Sequence, residues 1–252
     1  MTTQIVHGRT AAAEEPTYVA ELLDLLRVIV VAGVITGVLI AGVGGRLAML
    51  LLRLTSPDTV TGVESDDGFT IGEFTLGGSY NLLNLGGAVG LIGAAAYVLV
   101  SPWLLGPTWF RRFTVGAVAG ALAGSMIIHA DGTDFTVLEP LWLAVALFVG
   151  LPALFGWVIG AVVDSVDGPG SWTRRGRLRW ALPLLLLLAV PLAILPGIVM
   201  AALVAALLPL RRELLGVLTS GVGGNVLRAL FLGIAVLAFL ALGSDLRDLD
   251  LL

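Results

Sequence analysis

The fold is decided by the stretch from Arg27 to Arg46, which reads RVIVVAGVITGVLIAGVGGR. Eighteen consecutive residues in it, Val28 to Gly45, carry no charge. A helix rises about 1.5 Å per residue, so this run covers most of the roughly 30 Å hydrocarbon core of a bilayer. The stretch therefore predicts a transmembrane helix.

The composition of the whole chain agrees with a membrane protein. Of its 252 residues, 58% are hydrophobic and 13% are charged, and the mean hydropathy is +1.01. These values exclude the soluble and the disordered classes. The chain has no cysteine, which excludes disulfides, thiolate zinc sites, iron–sulfur clusters and a cysteine nucleophile.

Apolar runs of sufficient length predict six membrane crossings. They are Val28–Gly45, Leu82–Leu105, Phe113–Ala130, Pro140–Val163, Trp180–Leu210 and Val226–Gly243. The fifth run contains four prolines and could form one kinked helix or a re-entrant hairpin. We favour the kinked helix, because the run has no Ser, Thr, Asn or Gln to pair with the backbone groups that a hairpin bend exposes. The re-entrant alternative fits the positive-inside rule better, because it keeps Arg211 and Arg212 on the cytosolic side.

The connection between the first two helices, residues 57–80, has a different pattern. Short alternating segments, VTGVE and FTIGEFTL, flank the turn residues SDDG. This pattern predicts a small β-hairpin, although a polar loop without strands is the alternative. The expected fold is an all-α membrane protein, a six-helix transmembrane bundle with a small extracytoplasmic β-hairpin between helices 1 and 2. Its parts are a mobile cytosolic tail (1–20), one transmembrane domain (21–243) and a short C-terminal tail (244–252).

The placement of basic residues predicts the orientation. All fourteen are arginine, and nine of them face the cytosol if the N-terminus is cytosolic. Four lie in the loop RRGRLR, residues 174–179. Such a loop could bind anionic lipid or nucleic acid, but beside a membrane the topological interpretation is simpler. We therefore expect a plasma-membrane protein whose partner is the lipid bilayer, with no nucleic acid.

Glycines at four-residue spacing predict close helix packing. Gly116, Gly120 and Gly124 form one stripe that lets another helix backbone approach. Such faces could also bind a membrane-protein partner or a second copy of the chain. The GVGG strings lack the strand-to-helix setting of a nucleotide loop, so we expect no cofactor.

Polar residues near the helix ends predict a ligand site. In the six-helix topology they gather toward the extracytoplasmic side, and such groups are costly near hydrocarbon unless they are paired or hydrated. We therefore predict an outward-facing vestibule for a small polar ligand, an ion or a lipid headgroup. The predicted ligand-binding residues are Arg46, Arg53, Asn81, Asn84, Asn225 and Arg228.

The two arginines of the first helix have competing interpretations. Arg46 and Arg53 are seven residues apart and share a face if the helix continues. A break at Gly42–Gly45 would instead place Arg46 near a helix N-terminus, where anions bind. The plainer alternative is that both side chains snorkel to the interface or pair with nearby carboxylates. The candidates for that pairing are Glu64, Asp66, Asp67 and Glu73.

The turn after the third predicted helix carries possible metal ligands. His129, Asp131, Asp134 and Glu139 lie within eleven residues and could bind a divalent cation or respond to pH. Their spacing matches no specific metal motif, and a hydrated acidic turn is the plainer explanation. Ser125 lies one helical turn before His129, but neither GxSxG nor HExxH is present, so we expect no catalytic residue.

Three strings carry a resemblance: GGRLAMLLLRLTSPD, ESDDGFTIGEFTLGG and HADGTDFTVLEPLWLAVALF. Together they resemble a group of uncharacterised multi-pass membrane proteins of high-GC bacteria, over roughly residues 44–163. The resemblance implies a protein of the bacterial cytoplasmic membrane and brings no activity. We expect a non-enzymatic, transporter-like or accessory component. A scaffold subunit and a membrane enzyme acting on a lipid-linked substrate are the alternatives.

Overall fold

The computed structural model describes residues 18–65, 70–72, 74–129, 132–203, 221–249 and 251. All regular elements within these residues are helices. They are α1 (Tyr18–Thr36), a π-helical segment (Gly37–Gly44), α2 (Gly45–Thr55), α3 (Leu76–Val100), α4 (Thr108–Ile127), α5 (Thr133–Val137), α6 (Leu141–Asp167), α7 (Leu178–Ala189), α8 (Pro191–Leu203) and α9 (Gly221–Asp248). Short 3₁₀ turns occupy Asp58–Val60, Ser101–Trp103, Trp172–Arg174 and the first turn of α8, Pro191–Ala193.

Four described helices are long and apolar enough to cross a membrane. They are Tyr18–Thr55, Leu76–Trp103, Leu141–Asp167 and Gly221–Asp248, and α7 with α8 would add a fifth if that bent pair were one span. The predicted third crossing forms α4, which is not among the four and carries Arg111 and Arg112 near its start. The predicted count of six is therefore wrong for the described part of the chain. Several apolar helices nevertheless indicate a membrane protein.

The predicted β-hairpin is also wrong. In the described residues of the connection between α2 and α3 there is no strand, only one antiparallel bridge between Glu64 and Thr70. Beside it, the Ile71 backbone N–H donates to the Val63 oxygen at 2.8 Å. The bridge does not extend into two strands because helical residues lie at the outer ends of both predicted strands. The first predicted strand begins in the 3₁₀ turn Asp58–Val60, and the second ends where α3 begins.

The first span is one unbroken helix of 38 residues, Tyr18–Thr55. A break at Gly42–Gly45 does not occur, because Gly44 and Gly45 keep helical dihedrals and the π-helical turns absorb the irregularity. Close packing against α3 accounts for the glycines here. A Cβ added to Gly86 would lie 2.6 Å from the Gly37 carbonyl oxygen and 2.7 Å from the Gly42 nitrogen. The two backbones therefore touch at a point that has no room for a side chain.

The glycine stripe of α4 is used within the chain. A Cβ added to Gly116 would lie 2.7 Å from the Ala153 oxygen of α6, and one on Gly120 would lie 2.8 Å from the Val149 oxygen. The predicted close approach of a helix to this stripe is therefore seen, and the approaching helix is α6.

The helices share two ends. At the first, Arg112 of α4 pairs with Asp164 of α6 at 2.8 Å, and Arg179 of α7 pairs with Asp24 of α1 at 2.9 Å. We call this the basic end, because it holds eight of the eleven arginines that the structure describes: Arg27, Arg111, Arg112, Arg174, Arg175, Arg177, Arg179 and Arg228. The opposite end, here the α2 end, holds α2, the start of α3 and the end of α4.

The predicted fifth helix, Trp180–Leu210, is not continuous in its described part, because α7 and α8 are bent by 110° at the break between them. A Cβ added to Gly197 would lie 3.4 Å from a methyl carbon of Leu187, so α8 packs back against α7. α9 then begins at the basic end, where Arg228 Nε donates to the Trp103 oxygen at 3.3 Å. α7 and α9 therefore both begin at the basic end.

Candidate functional site

A cavity of about 490 Å³ lies at the α2 end, between α2, α3, α4 and α6. We call it the α2 cavity. Its volume falls in the range of pockets that bind small molecules. Its polar lining side chains are Arg46, Arg53, Ser65, Thr70 and Asp134, and apolar groups make up most of the rest. The cavity is thus an apolar chamber with charged groups in its wall.

The two arginines line the cavity because α2 continues the first helix without a break. Seven residues make two helical turns, which puts Arg46 and Arg53 on one face. The Arg46 guanidinium carbon lies 5.9 Å from the ring centre of Phe74. A Cβ added to Gly72 would lie 3.2 Å from Arg53 Nε. Both guanidiniums therefore face the connection to α3, at positions only two residues apart along it.

The ion pair of Arg53 is open to exchange. Arg53 Nη2 lies 3.0 Å from Asp58 Oδ1, but the Asp58 side chain is 98% exposed. An ion pair with a fully solvated partner contributes little stability, so a ligand anion can replace that partner at low cost. Of the other predicted partners, Asp66, Asp67 and Glu73 lie outside the described residues.

The charges of the described cavity wall favour an anion. Asp134 is 5% exposed and is the carboxylate among the described lining residues. The same lining has two guanidiniums, those of Arg46 and Arg53. Arginine is the side chain best shaped to bind phosphate and carboxylate, through paired N–H groups. The described part of the wall, with two guanidiniums and one carboxylate, therefore suits an anionic group.

The remaining wall of the cavity is apolar. It comprises Leu82 and Val89 of α3, Ala123 and Ile127 of α4, and Leu147, Phe148, Leu151, Pro152 and Phe155 of α6, among others. From Arg53 back to Ala41 the lining follows the first helix for twelve residues, or about 18 Å at 1.5 Å per residue. The lining of the chamber is therefore elongated along the first helix, with Arg53 at one end and Arg46 about 10 Å from it along the helix axis.

The outer face of α2 is apolar and exposed, at Leu47, Leu50, Leu51 and Leu54. In a membrane this face would contact lipid, while the arginines of the same helix line the cavity. Leu50, Val89 and Ile127 both line the cavity and are exposed on the outer surface. The cavity wall is therefore thin on the side where α2 lies over α3 and α4.

Asn84 and Asn81 of the predicted ligand set lie apart from the cavity lining. Asn84 is 2% exposed, and its Oδ1 accepts from the Leu192 backbone N–H at 3.4 Å. Its amide nitrogen donates to the Tyr80 oxygen at 2.8 Å. Asn84 thus supplies the polar partner that the α7–α8 bend lacks in its own sequence. Asn81 is exposed in the first turns of α3.

Asn225 and Arg228 lie at the other end of the molecule. Arg228 Nη1 donates to Asn225 Oδ1 at 3.2 Å, and its Nε donates to the Trp103 oxygen. Trp103 follows the C-terminus of α3, whereas Arg46 lies beside its N-terminus. The structure therefore does not bring this pair together with Arg46 and Arg53. The expected common vestibule is divided between the two ends.

The predicted metal ligands also separate. His129 is exposed two residues after α4 ends, and its Nε2 lies 3.1 Å from the Met126 oxygen of that helix. Asp134 is buried and Glu139 is exposed, while Asp131 lies outside the described residues. Within the part of the chain that the structure describes, no three His, Cys, Asp or Glu side chains come close enough to hold a metal ion.

A charged network at the basic end was missed by the sequence analysis. Arg27 is 2% exposed, and its Nη1 donates to the Val166 oxygen at 3.2 Å and to the Thr173 hydroxyl. Asp24 lies 3.5 Å from Arg27 Nε and 2.9 Å from Arg179 Nη2. The available signal was the i, i+3 spacing of Asp24 and Arg27, which puts opposite charges on one helix face.

Comparisons with known proteins give no information on the role of the α2 cavity. No protein-family model matches the chain, and no curated protein or solved structure is significantly similar to it.

Proposed function

We propose that this protein is a non-enzymatic component of the bacterial plasma membrane that binds an anionic amphiphile in the α2 cavity. The observation that carries the proposal is the pairing of two arginines with an otherwise apolar chamber. A small inorganic ion would not contact the apolar wall, and a neutral hydrocarbon would not form hydrogen bonds with the guanidiniums. A ligand with an anionic head and an apolar chain can do both.

The head of the ligand is proposed to lie between Arg46 and Arg53. A phosphate accepts hydrogen bonds from several guanidinium N–H groups at once, and charge-assisted bonds of this kind are the strong ones. Arg53 exchanges its solvated partner Asp58 for the ligand. The apolar chain then extends along α3 and α6, past Leu151 and Phe155.

The proposed orientation puts the basic end in the cytosol. Eight of the eleven described arginines lie there, and cytoplasmic loops of membrane proteins carry the excess of basic residues. The start of α1 is then cytosolic, and the α2 cavity lies toward the outer leaflet. The ligand would thus be a lipid or a lipid-linked anion of the outer leaflet.

The test is a binding measurement with two lysolipids of equal chain length. The purified full chain in a mild detergent is titrated with lysophosphatidylglycerol or lysophosphatidylcholine, and bound lipid is counted by native mass spectrometry. We expect tighter binding of the anionic lysolipid. The variant R46Q/R53Q should lose at least about tenfold in affinity for it, because each charge-assisted hydrogen bond contributes about 1.5–3 kcal/mol.

Two further variants separate the charge from the chamber. R247Q removes an exposed arginine of α9 and should leave the affinity unchanged. Leu151→Trp fills the chamber without changing its charge and should weaken both lysolipids. Equal affinities for the two lysolipids in the unmodified protein would contradict the proposal, as would an R46Q/R53Q variant that binds lysophosphatidylglycerol normally.

Transport is a second candidate function, favoured by the α7–α8 pair. Broken helices that end inside the membrane are a common element of transporter sites, and the bend here lies beside Asn84 of α3. A transporter would move the anionic lysolipid between leaflets of a proteoliposome. Movement at the same rate in protein-free vesicles would exclude this role and leave an accessory binding role.

A further inference from the structure

The segment of residues 174–179, here called the loop, joins α6 to α7 at the basic end, includes the first two residues of α7, and is held on both sides. On one side, Arg174 donates to the Asp167 backbone oxygen at 2.8 Å and to its carboxylate at 3.0 Å. On the other, Arg179 lies 2.9 Å from the Asp24 carboxylate of α1. Just before the loop, Thr173 is fully buried and accepts a hydrogen bond from Arg27. The loop is therefore fixed to α1 and α6 at several points.

Two arginines of this loop take no part in these contacts. Arg175 and Arg177 are exposed, and neither forms an ion pair or a side-chain hydrogen bond with any residue in the described ranges. Between them lies Gly176, whose φ of +52° makes a tight turn. The turn presents two guanidiniums at the surface of a rigid loop.

The surroundings of these arginines are those of a membrane interface. Trp172 and Trp180, on either side of the loop, are both exposed, and tryptophan is enriched at the depth of lipid headgroups. From Trp180 the surface continues along α7 through the exposed side chains of Leu184, Leu185 and Leu188. Charge, aromatic ring and apolar face thus follow one another in the order of a phospholipid's headgroup, interface and acyl chain.

We propose that Arg175 and Arg177 bind the phosphate of an anionic phospholipid whose acyl chain lies along the leucine face of α7. This site is separate from the α2 cavity and lies at the opposite end of the molecule. Asp24 and Asp167 pair with Arg27, Arg174 and Arg179, whereas no carboxylate in the described ranges pairs with Arg175 or Arg177. Nucleic acid is the competing polyanion, but it offers nothing to the exposed leucines.

The test uses the absence of native cysteine. A single Leu178→Cys variant carries an environment-sensitive fluorophore beside the loop, and a Ser244→Cys variant carries it near the end of α9 at the α2 end. Each is reconstituted in nanodiscs of phosphatidylcholine with a rising fraction of phosphatidylglycerol. We expect a saturable change in fluorescence at position 178 that remains in R46Q/R53Q, whereas a change at position 244, at the end that holds the α2 cavity, should be lost in that variant.

Variants then assign the change to the two arginines. Each arginine near an anionic surface contributes about fivefold in affinity, so R175Q or R177Q should raise the half-saturating fraction of phosphatidylglycerol about fivefold, and the double variant further. R175K/R177K should retain most of the preference, because it keeps both charges. R247Q is the matched control for one arginine, and it should change nothing.

The outcomes are separable from those of the α2 cavity. R46Q/R53Q should leave the response at position 178 intact even where it abolishes lysolipid binding. Equal responses to phosphatidylcholine and phosphatidylglycerol would overturn the proposal, as would an unchanged response in R175Q/R177Q. A response to a single-stranded RNA oligonucleotide in the absence of any response to phosphatidylglycerol would also overturn it.

Discussion

Replacing Gly86 by alanine tests the close packing of the first span on α3. The added Cβ would lie 2.6 Å from the Gly37 carbonyl oxygen and 2.7 Å from the Gly42 nitrogen, whereas ordinary contact begins at 3.4 Å. Both neighbours are backbone atoms within helices, so no side chain can rotate away. The two helices would have to separate by about 0.8 Å at this point. The π-helical segment Gly37–Gly44, which contains both contact atoms, would move with them.

The expected loss follows from the size of this clash. Overpacking by one methyl group in a close-packed site costs about 1–3 kcal/mol. Alanine favours a helix over glycine by about 1 kcal/mol, which offsets part of the loss. We therefore expect Gly86→Ala to lower the free energy of unfolding by up to about 2 kcal/mol.

The assay is unfolding of the purified protein in mixed micelles, in which the fraction of sodium dodecyl sulfate is raised and helix content is followed by circular dichroism. Gly150→Ala in α6 is the matched control, because a Cβ there meets nothing within 4 Å. The control should be neutral or slightly stabilising. If both variants unfold at the same detergent fraction as the unmodified protein, the π-helical segment and α3 are not packed backbone to backbone at Gly86.

Three other changes have defined outcomes. Asn84→Leu leaves the Leu192 N–H without its acceptor and should cost about 1–3 kcal/mol; faster proteolysis between α7 and α8 is the readout, and unchanged proteolysis would refute the role of Asn84. Asp24→Asn removes the countercharge of buried Arg27 and should lower the free energy of unfolding by about 2 kcal/mol. This is less than the loss from a fully buried ion pair, because the Asp24 side chain is 29% exposed. Hydrogen exchange at the Thr173 amide should accelerate, and an unchanged exchange rate would contradict the network. Leu151→Trp should weaken long-chain lysolipids more than short-chain ones, and an equal effect on both would argue against a chain in the cavity.

The long apolar runs were enough to predict the helices that pack as spans. The length of an apolar run and its lack of charge depend only on the local sequence. Each of the four observed spans therefore coincides largely with a run predicted as a crossing: Tyr18–Thr55, Leu76–Trp103, Leu141–Asp167 and Gly221–Asp248. The spacing of Arg46 and Arg53 likewise placed both on one face. Their position in a cavity wall depends on α3 and α6 and could be observed only in the structure.

The path of α7 and α8 could not be predicted because its polar partner comes from elsewhere. The stretch itself lacks Ser, Thr, Asn and Gln, which argued for a continuous helix. Asn84, more than a hundred residues earlier, accepts the Leu192 N–H that the bend exposes. The structure also places Asn225 and Arg228, near the start of α9, at the basic end, whereas the six-helix topology predicts them at the opposite end.

The hairpin prediction was wrong for a different reason. The alternation at residues 57–80 was read as two strands, but Thr75 caps a helix there, its hydroxyl accepting from the Gly78 N–H at 3.0 Å. The N-cap at Thr75 starts α3 within the segment predicted as the second strand, so the residues after Thr75 are helical.

The central claim is that the α2 cavity holds an anionic amphiphile, and a density map of the full chain in nanodiscs with lysophosphatidylglycerol tests it most directly. We predict one elongated density, with its phosphate between the guanidiniums of Arg46 and Arg53 and its chain reaching Leu151 and Phe155. A cavity filled only by water, or a lysolipid bound elsewhere while the cavity stays empty, would contradict the claim.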